Sequence, residues 1–381
     1  MSDGYQGFDP FRWARTMQTT MQELRRDVED AAMRNYQMGA LLNAAGRVTL
    51  NHGGEGITWP VMYRHHRAEG ATGENTRVFR PTNLWKTADT EYRGYEVTDS
   101  IKRREVEKNK GEAAIVKVMD GFTDRLKQSI IHELGPQFYI NGDAAGNEKF
   151  WHGLLSLYKQ AGQTLNVSTG AARSRNDADR VIAPSGTYAG IDCALGAYGG
   201  AQKTSGVAWP IGDADTHYDF WSPLMIQRDS TAFTGSTNGD KLQEALRFGI
   251  VHAQRNSDQN GQMTNVWLDR SLYIDFANSY NSKQTIEVTN GTSLYSLGFR
   301  NVIIFDGIEI SWEAAVPVGF GFGLNINNIE CMGMTSDLYY VEGPEYDINT
   351  QSFNAVVSTL SNLKYRSPRN FAIWAPASAV V

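Results

Sequence analysis

The stretch YINGDAAGN (139–147) sets small residues beside a carboxylate, a composition that can wrap a cation or a phosphate and that also makes sharp turns. No ligand pattern completes around it. YGGAQKT (198–204) puts Ala201 and Gln202 between its glycines and Lys203, whereas a phosphate-cradling loop needs glycine directly before Lys-Ser/Thr. The glycines of GFGFGLN (319–325) have the wrong spacing for a dinucleotide fingerprint and follow a proline-containing loop, which reads as a flexible or closely packed loop. His65 and His66 are adjacent, so on a strand they face opposite ways, and His52, His132, His152, His217 and His252 are scattered. Asp143, Asp213, Asp215 and Asp219 lack the alternation and terminal glutamate of a calcium loop, and turn chemistry accounts for them. Neither GxSxG nor HExxH occurs, although a convergent triad leaves no linear motif. No catalytic, cofactor-binding or metal residue is assigned, and no cofactor is expected.

The elements that position these residues belong to a large chain. Its 381 residues, 41% hydrophobic, can bury a substantial core, and the length suggests two or three domains. The formal charge of −6 opposes sequence-independent nucleic-acid binding as the main task, which needs a basic face to displace counterions. Cys193 and Cys331 are too few for a disulfide framework, pointing to a reducing compartment. The N-terminal segment carries Asp3 and Asp9 and shows no secretory signal. The most apolar window, 302–324, is interrupted by Asp306, Glu309, Glu313 and several glycines, so no membrane-spanning helix is expected. The 37 glycines and nine tryptophans suit many tight turns and large contact surfaces.

A first helix is punctuated by Asp9 as cap and Pro10 at the first helical position, with Met17, Met21, Leu24 and Val28 as one apolar stripe. It reads as an arm that docks elsewhere or as an ordinary surface helix. After Gly46 the period changes to two, with Ile57, Trp59, Val61 and Tyr63 alternating against polar neighbours. AEGATGEN (68–75) breaks the run, and a return half containing Tyr92, Tyr95, Val97 and Ile101 completes a long hairpin. Between Arg77 and Lys110 nine Lys or Arg stand against six Asp or Glu, making this projection locally basic in an acidic protein. From Gly111 a helix follows with Ile115, Val118, Met119, Phe122, Leu126, Ile130 and Leu134 on one face, and Gly135-Pro136 is expected to end it. The turn Asn141-Gly142-Asp143 comes next, with the Asp143 carboxylate expected to serve the turn's own N–H groups.

Residues 154–240 read as short strands and loops. A helix at 240–254 turns Leu242, Leu246 and Phe248 or Ile250 inward, followed by a strand at 265–268 and a helix near 271–280. NVIIF and IEISW flank Asp306-Gly307, a dipeptide that tolerates the positive φ of a type I′ hairpin. YYV (339–341), AVVSTLSNLKY (355–365) and FAIW (371–374) are strand-like. The class is mixed α+β without βαβ alternation.

The order of these elements resembles the major capsid protein of tailed double-stranded DNA bacteriophages, with the Hong Kong 97 (Johnson) fold. The residues that carry the resemblance are FYINGDAAGN (138–147) followed by Gly153-Leu154, SLGFRNVIIFDGIEI (296–310) and GFGLNINNIECM (321–332), collinear along nearly the whole chain. The resemblance implies an N-terminal arm at 1–47, an extended loop at 48–108 and a peripheral domain at 109–150 and 325–381 that contains the long spine helix. It implies an axial domain at 151–324 with an insertion at about 154–235. No long coiled segment precedes the arm, which suggests a separate scaffolding protein.

By this reading the chain assembles with itself into hexamers and pentamers of an icosahedral head. A portal, a possible decoration protein and weakly, non-specifically contacted DNA complete the partners, with no membrane; the shell is built in the host cytoplasm and resides in the virion. Phe11, Trp13, Met17 and Met21 on the arm, and Trp59, Tyr63, Arg80, Trp85 and Lys86 on the loop, are the candidate contacts between subunits, because aromatics and Arg dominate interface hot spots. Some relatives cross-link through a loop lysine, and Lys86 lies in that region. An encapsulin-like cellular compartment remains an alternative, as does a glycan-active enzyme with clefts lined by Trp, Asp and Glu.

Overall fold

The structure is a computed structural model that describes residues 32–62, 85–108, 112–158, 181–182, 187–193, 221, 223–230, 233–254, 261–281, 293–299 and 301–376. The N-terminal helix expected at 9–28, the tip of the extended loop and most of the expected insertion lie outside the described residues. The strands in chain order are β1 Val48–Thr49, β2 Ile57–Met62, β3 Trp85–Thr90, β4 Glu96–Lys102, β5 Val181–Ile182, β6 Thr187–Tyr188, β7 Ile191–Asp192, β8 Leu224–Gln227 and β9 Asn265–Leu268. They continue with β10 Ile303–Phe305, β11 Ile308–Trp312, β12 Gly321–Leu324, β13 Ile329–Gly333, β14 Tyr340–Asp347, β15 Ser352–Ser358, β16 Ser361–Tyr365 and β17 Ala372–Ala375.

A seven-stranded mixed sheet in the order β10-β11-β9-β12-β17-β8-β5 forms one centre. The helices Asn238–Ala253 and Arg270–Asn281 pack on it, burying Leu242, Leu246, Ile250, Leu272 and Phe276. Phe248 is only partly buried, so Ile250 is the residue turned inward. GFGFGLN contains a strand of this sheet and not a loop, because Gly321 and Gly323 let the Leu268, Met263 and Trp374 side chains close over β12. The hairpin at 306–307 forms as its dipeptide requires, with φ of 50° at Asp306 and 82° at Gly307.

The long helix runs Glu112–Tyr139, with Phe122, Leu126, Ile130, Leu134 and Phe138 buried at a four-residue interval. The side chains of Ile115, Val118 and Met119 lie outside the described residues. Gly135-Pro136 does not end this helix, which passes through Pro136 for another turn. Proline removes the N–H that would bond to the carbonyl four residues back, and the Tyr36 hydroxyl donates to that carbonyl, of His132, at 3.4 Å. Gly135 leaves room for the same ring: a Cβ there would overlap Tyr36.

The extended hairpin also differs from the expected one. Its return strand is β3, pairing Met62 with Trp85 through Ile57 with Thr90. Val97 and Ile101 sit on β4, which pairs with β15 in a separate three-stranded sheet, β14-β15-β4. The stretch at 355–365 divides between two sheets, since β16 joins β13 and parallel β1. Of the strands within 325–381, β17 lies between β12 and β8 inside the seven-stranded sheet, whereas β13 to β16 belong to the two three-stranded sheets. Pairing across such sequence distances leaves no local signature, which is why alternation alone grouped these strands with the wrong neighbours.

Gly135→Val should force Tyr36 off the helix and destabilise the chain by about 2 kcal/mol, the usual scale of overpacking. Tyr36→Phe should cost about 1 kcal/mol through the lost hydrogen bond alone. Denaturant unfolding of both variants checks the pair, and an unchanged midpoint for Gly135→Val would contradict the close approach.

Candidate functional site

The corner at 141–147 is filled by the protein's own groups. Asn141 supplies most of the turn: its Oδ1 accepts from the Asp143 N–H at 3.1 Å, and its carbonyl accepts from the Ala144 N–H at 3.2 Å and from Asn147 Nδ2 at 3.1 Å. Gly142 joins three distant segments. Its N–H donates to Ser156 Oγ at 2.8 Å, its carbonyl accepts from Arg93 Nη1 at 2.6 Å, and a Cβ would stand 2.6 Å from the Trp151 carbonyl. Gly153 is equally constrained, because a Cβ there would lie 2.5 Å from the Ile140 carbonyl. Arg93 in turn pairs its backbone with Ser361 on β16, so the corner locks the spine helix to the C-terminal sheet.

The carboxylate of Asp143 does not serve the turn's N–H groups as expected. Its Oδ1 lies 3.5 Å from Nδ1 of His152. Burial pushes the Asp143 carboxyl up, with the Arg93 charge opposing. Burial, then Arg93, pushes His152 down to about 3, so the imidazole is neutral and the pair is not an ion pair at neutral pH.

The loop hairpin is tied to its own chain at its base. Trp59 is buried beside Tyr188, ring centroids 6.2 Å apart, with Lys364 Nζ 5.6 Å from its ring on β16. A tight turn between β6 and β7, with positive φ at Ala189 and Gly190, then clips β3. The Asp89 N–H donates to the Ala189 carbonyl at 3.1 Å and Lys86 Nζ to the Gly190 carbonyl at 3.3 Å. Of the loop residues singled out in the sequence, Trp59 is therefore spent inside the subunit, whereas Trp85 is 53% exposed and Lys86 lies on the surface. Tyr63 and Arg80 lie outside the described residues, as do Phe11, Trp13, Met17 and Met21 on the arm. Asp306 Oδ2 receives Arg247 Nε at 2.9 Å, holding the exposed Asp306-Gly307 turn to the helix Asn238–Ala253.

Two buried polar residues were invisible in the sequence. Gln37 begins the helix Gln37–Ala44: its Oε1 accepts from Trp267 Nε1 at 2.9 Å and from Ser311 Oγ, and its Nε2 donates to the Trp312 carbonyl at 3.0 Å. Nearby, Glu313 accepts from the Tyr139 hydroxyl, and burial raises its pKa to about 7, partly offset by that hydroxyl and by the Gln37 and Met38 N–H groups. Their partners lie far away in sequence, so no spacing could have shown them.

These features define a mixed α+β fold in which a long helix, a two-stranded hairpin and three larger sheets are joined by the C-terminal strands. The chain is similar to a chain of the Cyanophage A-1(L) capsid asymmetric unit, with a TM-score of 0.53 over 88% of this chain and 91% of that one, at 12% identity. It is also similar to the capsid of Myoviridae phage XM1 (TM-score 0.44, 12% identity, 88% and 92% covered) and to the virus-like particle from Pyrococcus furiosus (TM-score 0.42, 8% identity, 93% and 98% covered). No family model matches the sequence, and no curated protein matches it. The chain has the Hong Kong 97-like fold of tailed-phage capsid proteins. Among the described residues, no group of three or more His, Cys, Asp or Glu is placed to hold a metal ion, and no helix is long and apolar enough to cross a membrane.

Glu313 sets a pH dependence of definite sign. The unfolded carboxyl ionises near 4.5 and the folded one near 7, so between these values the unfolded state loses its proton first and stability falls as pH rises. Glu313→Gln should remove that fall, gaining about 3 kcal/mol over the wild type above pH ~7 and almost nothing at pH ~4.5. Thermal melts of both proteins across this range test the sign. Gly142→Val should sharply reduce soluble protein, and an unchanged yield would refute its role in the corner.

Proposed function

We propose that this chain is the structural major capsid protein of a tailed phage, assembling into hexamers and pentamers that form an icosahedral head around double-stranded DNA. The observation that carries the reading is the end-to-end similarity of fold to a cyanophage capsid protein, spanning 88% of this chain and 91% of the other. Residues 1–47 would serve as the arm, 48–108 as the extended loop, 109–150 with most of 325–381 as the peripheral unit, and 151–324, completed by β17, as the axial unit. The role is structural and not enzymatic, with a separate scaffolding protein, a portal and a decoration protein as partners, and with assembly in the host cytoplasm before residence in the virion.

Physical chemistry supports self-association. The hairpin β2–β3 packs one face, with Ile57, Trp59, Val61 and Ala88, into the subunit's own core and leaves the other face exposed. Its exposed Trp85 is an aromatic of the kind that anchors interfaces. Acidic overall charge suits a container whose wall must release its polyanionic contents.

Negative-stain microscopy of the expressed protein, with and without scaffold, tests the proposal. Closed shells, tubes or capsomers are expected, and uniformly small particles would sink it. Shells that copurify with an enzyme cargo would mark a cellular compartment, and a persistent monomer that hydrolyses a glycan would mark an enzyme. Trp85→Ala should reduce shell yield severalfold while shifting the unfolding of the unassembled subunit by less than about 0.5 kcal/mol.

A further inference from the structure

Four charged side chains meet at the sheet β1-β13-β16. Glu330 on β13 faces Lys364 across the ladder, Arg47 immediately precedes β1, and Arg366 immediately follows β16. Lys364 Nζ lies 3.1 Å from Oε2 of Glu330, while Arg366 Nη2 at 2.5 Å and Arg47 Nη1 at 3.4 Å both approach Oε1. Among the described residues, Glu330 is the one carboxylate that any of the three cations reaches.

The two halves of this cluster differ in exposure. The Glu330 and Lys364 side chains are 8% and 10% exposed, and the indole of Trp59 covers the ammonium, so they form a closed, mutually neutralised pair. Arg47 and Arg366 are 28% and 51% exposed and share one oxygen atom, Oε1, while Lys364 holds the other. Their charges are left over, and most of their N–H donors remain for something else. Both backbones are anchored: the Arg47 N–H donates to the Leu42 carbonyl and its own carbonyl accepts from Cys331, while the Arg366 N–H donates to the Asn328 carbonyl at 2.8 Å.

We propose that Arg47 and Arg366 form a binding site for a phosphate oxyanion, with Lys364 and Glu330 as its rigid floor. Two planar guanidinium groups, carried by the residues that flank β1 and β16 and brought together at Glu330 Oε1, can turn their remaining donors to the oxygens of a phosphate, and the cluster's three cations against one carboxylate leave a positive surplus that an oxyanion offsets. Arginine is suited to this because it stays charged and presents paired donors. Free phosphate and the backbone phosphates of a nucleic acid share this chemistry. The site goes beyond the shell reading and does not rest on it.

Titration of the full-length, unassembled chain with inorganic phosphate, followed by calorimetry and by ³¹P line broadening at constant ionic strength, tests the site. Arg47→Gln with Arg366→Gln should weaken phosphate binding about tenfold or more. Arg125→Gln, which removes an exposed guanidinium paired with Asp99, should leave it unchanged. Circular dichroism reports whether the double variant folds; if it does not, Arg366→Gln alone decides, with a severalfold loss expected. Equal binding by wild type and the Arg variants, or no binding by the wild type, overturns the proposal. A short DNA duplex in the second arm separates the sources: a duplex that competes with inorganic phosphate and depends on both arginines identifies backbone phosphate, whereas phosphate binding without duplex binding identifies the free ion.

Discussion

The last strand described has to enter a sheet between two strands drawn from separate parts of the sequence, and its indole fits there because glycines on β12 and on the helix Asn238–Ala253 make room for it. Trp374 is fully buried. A Cβ on Gly249 would stand 2.6 Å from its ring and one on Gly323 2.8 Å, while its Nε1 donates to the Ala245 carbonyl at 2.8 Å. The indole thus joins the helix Asn238–Ala253 to β12 and β17 at one point, satisfying its polar atom while burying a large apolar surface. Once β17 is in place, β9 and β11 on one side and β8 and β5 on the other have their order set.

The same C-terminal region completes the other two large sheets. β13 and β16 take up β1, while β14 and β15 take up β4, so residues 329–375 reach every large sheet described. The spine helix is held within this frame by contacts that compensate its own irregularities, as when Tyr36 meets the carbonyl freed by Pro136. Gln37, one residue on, bonds to Trp267, Ser311 and Trp312 and ties the helix Gln37–Ala44 to the seven-stranded sheet. Glu313, buried and held largely protonated toward neutral pH, adds Tyr139 to the same junction. Buried polar groups of this kind restrict the ways in which two packed units can sit together, because each alternative leaves a donor or acceptor unpaired.

The hairpin β2–β3 belongs to this frame, because its Ile57, Trp59, Val61 and Ala88 enter the subunit's core. The β2–β3 hairpin is clipped by the β6–β7 turn and by Trp59, which fix it to the rest of the subunit. Trp85, facing outward on the paired strand, is then presented from a defined base.

Local patterns were legible wherever the physics is local. The four-residue stripe from Phe122 to Leu134 specified an amphipathic helix, Asp306-Gly307 specified a hairpin because two positive φ angles suit those residues, and the strand at 265–268 showed in its β-branched and aromatic run. The collinear order of these elements sufficed to indicate the Hong Kong 97-like fold. Only the tertiary structure decided that Gly135-Pro136 is a seat for Tyr36 and not a helix stop, that Trp59 faces inward while Trp85 faces out, and that one strand-like stretch at 355–365 serves two sheets. Asn141, and not Asp143, serves the turn for the same reason: both residue types suit it, and the surroundings at His152 and Arg93 decide between them. Periodicity records which face of a segment is apolar. It does not record which distant segment will cover that face, because that depends on contacts whose partners are separated by most of the chain.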